Sequence, residues 1–195
     1  MAGFAGGLAV VGKKSYIHTF GCFASRRMFD QVFISIAYAQ LNAQIIGSDP
    51  GVTAAYNGGT HMPFEDICLY RAIPNAIVIE TTDAAMAGAI LRQTKDRPGV
   101  TYIRLSRKNL SVIYEPGSTF EIGKGNVLQN GKNVAFIVAG LLVAEALKAA
   151  EELEKEGISA AVIDMFTIKP LDKALTLEYT KKTGEIGRAR LNSSH

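Results

Sequence analysis

The 195-residue sequence contains no tryptophan, only two cysteines, and only three histidines, one of them the terminal His195. So sparse a set of soft ligands argues against a four-ligand structural zinc site, and Cys22 and Cys68 read as buried small hydrophobes of a cytosolic protein. A strong charge of one sign is also missing. The formal net charge is +3, and it drops to +1 without Arg188 and Arg190. Lysines and arginines are scattered among acids, so the basic stripe of a nucleic-acid binder is absent. The apolar opening, residues 1–11, is glycine-rich and short, with no basic residue ahead of it, and therefore reads neither as a signal peptide nor as a membrane span. These absences set the expectation of a cytoplasmic protein that engages neither nucleic acid nor membrane. What remains is a chain that is 48% hydrophobic, enough for a packed core.

Runs rich in β-branched residues alternate with helical patterns, which predicts α/β construction around a parallel sheet. Strands are expected at residues 15–19, 43–48, 76–80, 101–106, 134–139 and 160–164. Phe29, Val32, Phe33 and Ile36 recur at three- and four-residue spacing, predicting one helix over 25–39 with Ser25 as its N-cap. A second helix is expected from Pro63 to before Pro74, and a third from the Thr82–Asp83 cap to about Lys95. Residues 115–119 (EPGST) form a polar joint, which divides the chain into units 1–114 and 120–186. In the second unit Val143, Ala146, Leu147, Ala150 and Leu153 mark the apolar face of a helix that ends at Gly157. Residues 187–195 (GRARLNSSH) lack apolar periodicity and read as a vector-derived or frame-shifted tail.

Three segments carry the chemistry. Residues 18–31 (HTFGCFASRRMFDQ) place Phe20 and Phe23 where a predicted strand gives way to a helix. Taken alone, both are also what a core would use. Asp49 opens a loop that runs through Asn57, Gly58, Gly59 and Thr60 to His61, beside a predicted helix start; an imidazole there can exchange a proton with a hydroxyl. Residues 104–110 (RLSRKNL) set Arg104, Arg107 and Lys108 at the C-terminal end of a predicted strand, where open parallel sheets hold ligands. A guanidinium suits phosphate through paired charge-assisted hydrogen bonds, although Lys108, and Arg104 as well, also fit a solvated charge run.

Together these segments resemble the transketolase family over about residues 3–183. The resemblance implies a pyrimidine-binding domain of a thiamine-diphosphate enzyme, followed by a truncated C-terminal domain of that family. It makes Phe20 and Phe23 the pocket for the cofactor's aminopyrimidine ring, His61 a catalytic residue over the cofactor, and Arg107 the contact to a sugar phosphate. Asp49 and Asn57 fall where the family meets substrate hydroxyls. Residues 120–125 and 168–172 resemble the opening strand and a turn of the C-terminal domain. Two departures stand out: Tyr56–Asn57 replaces the usual Glu-Asp, and Asp49 replaces a His common in two-subunit forms, so a less usual ketose phosphate is expected.

The family's catalytic glutamate falls a few residues before Met1, and its GDG-plus-Asn signature for magnesium and diphosphate is not in the sequence. The resemblance therefore implies a separate N-terminal diphosphate-binding subunit that holds the metal, and a dimer of such pairs. It also implies that this chain by itself is inactive and binds no cofactor. The reaction implied is two-carbon ketol transfer from a ketose phosphate to an aldose. A 1-deoxyxylulose-5-phosphate synthase-like or 2-oxo-acid dehydrogenase E1 β-like subunit stays open, as does a ligand-free subunit-contact module.

Overall fold

A computed structural model describes residues 1–108, 110–183 and 186–188. The chain opens with α1 (Ala2–Val10), which buries Ala2, Ala5 and Gly6 and leads into β1 (Ser15–Phe20). Two short helices follow, α2 (Gly21–Ala24) and α3 (Phe29–Val32), the latter continuing into a π-helical turn at Phe33–Ala37. The single helix expected over 25–39 is therefore not formed. Ser25 is buried and its Oγ donates to Gly21 O at 2.6 Å, so it closes α2 instead of capping a helix start.

Next come β2 (Ala43–Ser48), a 3-10 turn (Gly51–Asn57), α4 (Asp66–Ala72), β3 (Ile77–Glu80), α5 (Ala84–Thr94) and β4 (Val100–Leu105). The second helix thus starts at Asp66, three residues later than Pro63, and it turns Cys68 outward, so that of the two cysteines expected to be buried only Cys22 is. Asp83 caps α5 as expected, its Oδ1 accepting from Met86 N at 2.9 Å. Its other oxygen accepts from the backbone N–H groups of Ile113 and Tyr114 and ties the residues just ahead of the joint to α5.

The second unit comprises β5 (Asn126–Gln129), β6 (Val134–Val138), α6 (Leu142–Lys155), β7 (Ala160–Asp164), β8 (Thr167–Lys169), α7 (Lys173–Thr183) and β9 (Ile186–Arg188). Its opening strand is β5; residues 120–125 form turns ahead of it. Gly157, at φ +78, follows α6 as expected of its C-terminal glycine. Gly187 and Arg188, read from the sequence as the start of a tail, extend β9 in parallel beside Phe136 and Ile137 of β6. A three-residue strand has too little sequence to show a period. Residues 189–195 of the expected tail lie outside the described residues.

The first sheet has the order β1–β2–β4–β3–β8, with four parallel strands and β8 antiparallel to β3; the second has the order β5–β7–β6–β9. β8 belongs to the second unit in sequence yet completes the first unit's sheet. Lys169 Nζ fastens it there by donating to Arg71 O and Ile73 O at the end of α4. One core layer packs Val32, Ile36, Ile45, Tyr70, Ile73 and Tyr102 beneath α1 to α4, and the opposite face packs Ile79, Met86, Ile90, Ile103 and Phe166. Tyr70 and Tyr102 stack with their centroids 4.0 Å apart, an arrangement that contributes about 1 kcal/mol beyond burial.

Candidate functional site

Parallel register builds the site. Phe20 pairs with Ser48, and Ser48 pairs with Leu105, so β1, β2 and β4 end side by side. The residues that follow emerge together at the C-terminal edge of the sheet: Phe20 from β1, Asp49 from β2 and Arg107 from β4. This is the edge where open α/β sheets place ligands.

The loop after β2 brings His61 onto this edge. The His61 ring lies 5.0 Å from Phe20 and 5.0 Å from Phe23, edge to face with both, and Phe20 and Phe23 are 6.0 Å apart in the same manner. Gly21 allows the loop to come this close, since a Cβ there would stand 2.7 Å from the Pro63 ring. The His61 Nδ1 is 2.9 Å from Thr60 Oγ1, and among the described residues no hydrogen bond engages Nε2.

Arg26 anchors the loop from the other side. Its guanidinium donates to Glu65 Oε1 at 3.0 Å and to the carbonyls of Gly59 and Thr60 at 3.2 and 3.3 Å. Arg27 lies over the Phe23 ring at 4.1 Å, and Arg107 over the Phe20 ring at 4.3 Å. Arg107 Nε donates to Asp49 Oδ2. Asp49 is itself buried at φ +58, a conformation that aspartate tolerates better than most residues.

Of the residues read from the sequence, Phe20, Phe23, His61, Asp49 and Arg107 come together. Asn57 stands apart, exposed at the end of the 3-10 turn, where its backbone oxygen accepts from Thr60 Oγ1 at 3.5 Å. Arg104 turns inward. Two residues apart on β4, Tyr102 and Arg104 share one face of the sheet. Arg104 Nε donates to Asp66 Oδ2 at 2.8 Å, Arg104 Nη1 to Glu80 Oε2 at 2.7 Å, and Tyr102 OH to Asp66 Oδ2 at 2.7 Å. Burial pushes the Glu80 carboxyl up from its ordinary value, and Arg104 opposes that rise. Since Asp66 is the first residue of α4, this cluster fixes the helix that receives the His61 loop. Reading the sequence missed Arg26 and Asp66. The available signals were Arg26's position one helical turn beyond Phe23 and Asp66's place in a helix first turn.

A cavity of about 350 Å³ opens beside Phe23, walled by Ala2, Gly3, Thr19, Arg27, Met28 and Gln31. That volume lies at the lower end of the range for small-molecule sites, roughly 300 to 1,000 Å³.

Residues 1–112 match the model of the transketolase pyrimidine binding domain, and residues 123–187 that of the transketolase C-terminal domain. The chain belongs to the transketolase family. It is 45% identical over 186 residues to the 6-deoxy-6-sulfo-D-fructose transketolase subunit of Clostridium sp. (strain MSTE9), covering 95% of this chain and 58% of that one. It is 40% identical over 168 residues to human transketolase-like protein 2, covering 84% of this chain and 27% of the human protein. Among solved structures, a split gene transketolase described as an inactive β4 tetramer superposes with TM-score 0.88 at 39% identity, over 96% of this chain and 60% of that one. The Campylobacter jejuni transketolase gives TM-score 0.82 at 20% identity over 96% of this chain and 30% of that one, a likeness of fold alone. The chain thus spans little more than half the length of its Clostridium relative. Among the described residues no helix is long and apolar enough to cross a membrane, and no group of three or more His, Cys, Asp or Glu side chains is arranged to hold a metal.

Proposed function

We propose that this chain supplies the pyrimidine-binding side of a thiamine-diphosphate-dependent transketolase and works with a separate diphosphate-binding subunit in two-carbon ketol transfer between sugars. The observation that carries the reading is the three-ring corner of Phe20, Phe23 and His61 at the C-terminal edge of a parallel sheet. The aromatic edges and the cavity beside Phe23 suit a flat heteroaromatic ring. When bound, thiamine diphosphate supplies the carbon nucleophile that attacks the ketose carbonyl.

The residues of this chain do the rest of the work in this reading. Phe20 and Phe23 hold the ring and exclude water from it. His61 moves a proton at a sugar hydroxyl through Nε2, while Arg26 holds the loop that carries it. Arg107 contacts the charged end of the sugar, and Asn57 meets the sugar only after its exposed turn is covered. Magnesium and diphosphate fall to the partner subunit. Phe4 on α1, Ile34 on the π-helical turn packed against it, and Tyr38 just after that turn are exposed apolar side chains that support contact with a further copy in a dimer of pairs. The reading places the enzyme in the cytoplasm, in pentose phosphate-type carbohydrate metabolism. Tyr56, Asn57 and Asp49, together with a relative named for a sulfosugar, support a less usual ketose as donor.

The test is reconstitution. A chain extended upstream to include the catalytic glutamate, mixed with the diphosphate-binding subunit, thiamine diphosphate and magnesium, is expected to transfer two carbons from a ketose to an aldose. Pyruvate consumption in place of ketol transfer would assign the synthase-like reaction, and no turnover of any ketose in a broad panel would refute the proposal.

A further inference from the structure

Asp49 does not stand free to meet a sugar hydroxyl. Its carboxylate is 2% exposed, and Oδ2 is taken by Arg107 Nε. Arg107 remains 52% exposed, so the guanidinium that faces the cleft is already half of an ion pair before substrate arrives. Because Nε is occupied, the fork formed by Nε and one terminal nitrogen is unavailable, and a ligand is left with the end-on edge. Of the neighbouring cations, Arg26 is paired with Glu65, and Arg27 lies over the Phe23 ring, not over Phe20 where Arg107 stands.

An anion bound at Arg107 is therefore drawn by the guanidinium and repelled by a fixed carboxylate just behind it. The pair's net charge is close to zero, so it offers little attraction to offset an end group's loss of water, and that loss grows steeply with the end group's charge. A phosphate ester carries about −1.5 to −2 at pH 7, whereas a sulfonate carries a single negative charge. We infer that Asp49 is a specificity-determining residue that disfavours doubly charged end groups, so that the donor this site accepts best is a ketose ending in a singly charged group such as a sulfonate. The inference rests on the proposed role of Arg107 as the end-group contact.

The experiment compares kcat/KM for two ketoses of the same carbon chain, one ending in phosphate and one in sulfonate, in the complete two-subunit enzyme. For the unmodified chain the phosphate-to-sulfonate ratio is expected at or below one. Asp49→Asn keeps the side-chain size and tolerates positive φ, and is expected to raise the ratio about tenfold, equivalent to ~1.4 kcal/mol. Asp49→His, also tolerated at that backbone angle, shifts the ratio the same way. A ratio unmoved in both variants, or an unmodified chain that already favours phosphate tenfold, overturns the inference and leaves the Arg107 role intact. Arg107→Met is the second arm: it is expected to erase the preference for either charged ketose over a hydroxyl-ended one. If that preference persists, the Arg107 role fails, and the inference with it.

Discussion

Replacing Arg104 by methionine separates the buried arginine of β4 from the exposed one three residues later. The substitution keeps an unbranched apolar stem and removes the guanidinium that lies between Asp66 at 2.8 Å and Glu80 at 2.7 Å. Arg104 is 4% exposed, so two buried carboxylates lose their cation and water does not replace it. Removing one partner from a buried pair costs about 3–5 kcal/mol, a large part of the roughly 5–15 kcal/mol that stabilises a domain. Glu80 adds a pH signature. Its pKa is already raised by burial and is restrained by Arg104, so it moves further up in the variant. A group raised in the folded state stabilises below its unfolded pKa, and that contribution is lost as pH rises through the folded value. The deficit of Arg104→Met should thus be greatest at pH 8 and smaller at pH 5. Urea unfolding of the unmodified chain, Arg104→Met and Arg107→Met at both values measures it. Arg107→Met leaves the buried Asp49 carboxylate without its guanidinium, but at a site open to solvent on the arginine side, and is expected to cost less, about 1–3 kcal/mol. Equal costs for the two variants, or a cost under 1 kcal/mol for Arg104→Met at pH 8, would refute this assignment.

Asp164 is buried, with Oδ2 accepting from Thr82 and Tyr114 at 2.6 and 2.8 Å, and burial pushes its carboxyl up to about 7. Its stabilising contribution is present below about pH 4 and lost as pH rises through 7, up to ~4 kcal/mol; Asp164→Asn should flatten that slope in thermal unfolding curves. Phe23→Ala is expected to weaken thiamine diphosphate binding in the complete enzyme by about 2 kcal/mol, read by calorimetry. His61→Ala should lower kcat by about 10²- to 10⁴-fold with a smaller change in donor KM. Arg26→Ala removes only exposed interactions, so stability should change by less than about 1 kcal/mol, while amide exchange at Gly58 to Met62 accelerates.

Local sequence specified the elements whose signals are local. The bounds expected for β2 and β7 coincide with those observed, because both centre on a β-branched pair, Ile45–Ile46 and Val162–Ile163, and are buried on every residue. Asp83 announced α5 through its capping side chain, and the alternating faces of α6 set its length. The segment after Phe23 misled, since Phe29, Val32, Phe33 and Ile36 satisfy a helical period without revealing where the backbone breaks. The break comes from Ser25 turning back onto Gly21 and from the π-helical turn at Phe33. β5 and β8 are too short to carry a period, and β8 takes its place through pairing with a strand some ninety residues earlier. The site divides along the same line. Phe20, His61 and Arg107 stand at strand ends and in a glycine-flanked loop, where sequence alone marks them. The Asp49–Arg107 pair and the Arg26 clamp depend on the register of β1, β2 and β4 and on a loop folding back over α2, which no local pattern encodes.

The corner of three rings can be tested by isotope labelling of phenylalanine and histidine in the complete enzyme, with resonances followed as thiamine diphosphate and magnesium are added. If the corner receives the aminopyrimidine ring, the largest ring-current shifts fall on Phe20, Phe23 and His61, while Phe120 and Phe166 stay still. Shifts centred on other aromatics, or none at these three when the cofactor is demonstrably bound, would contradict the site described for this chain.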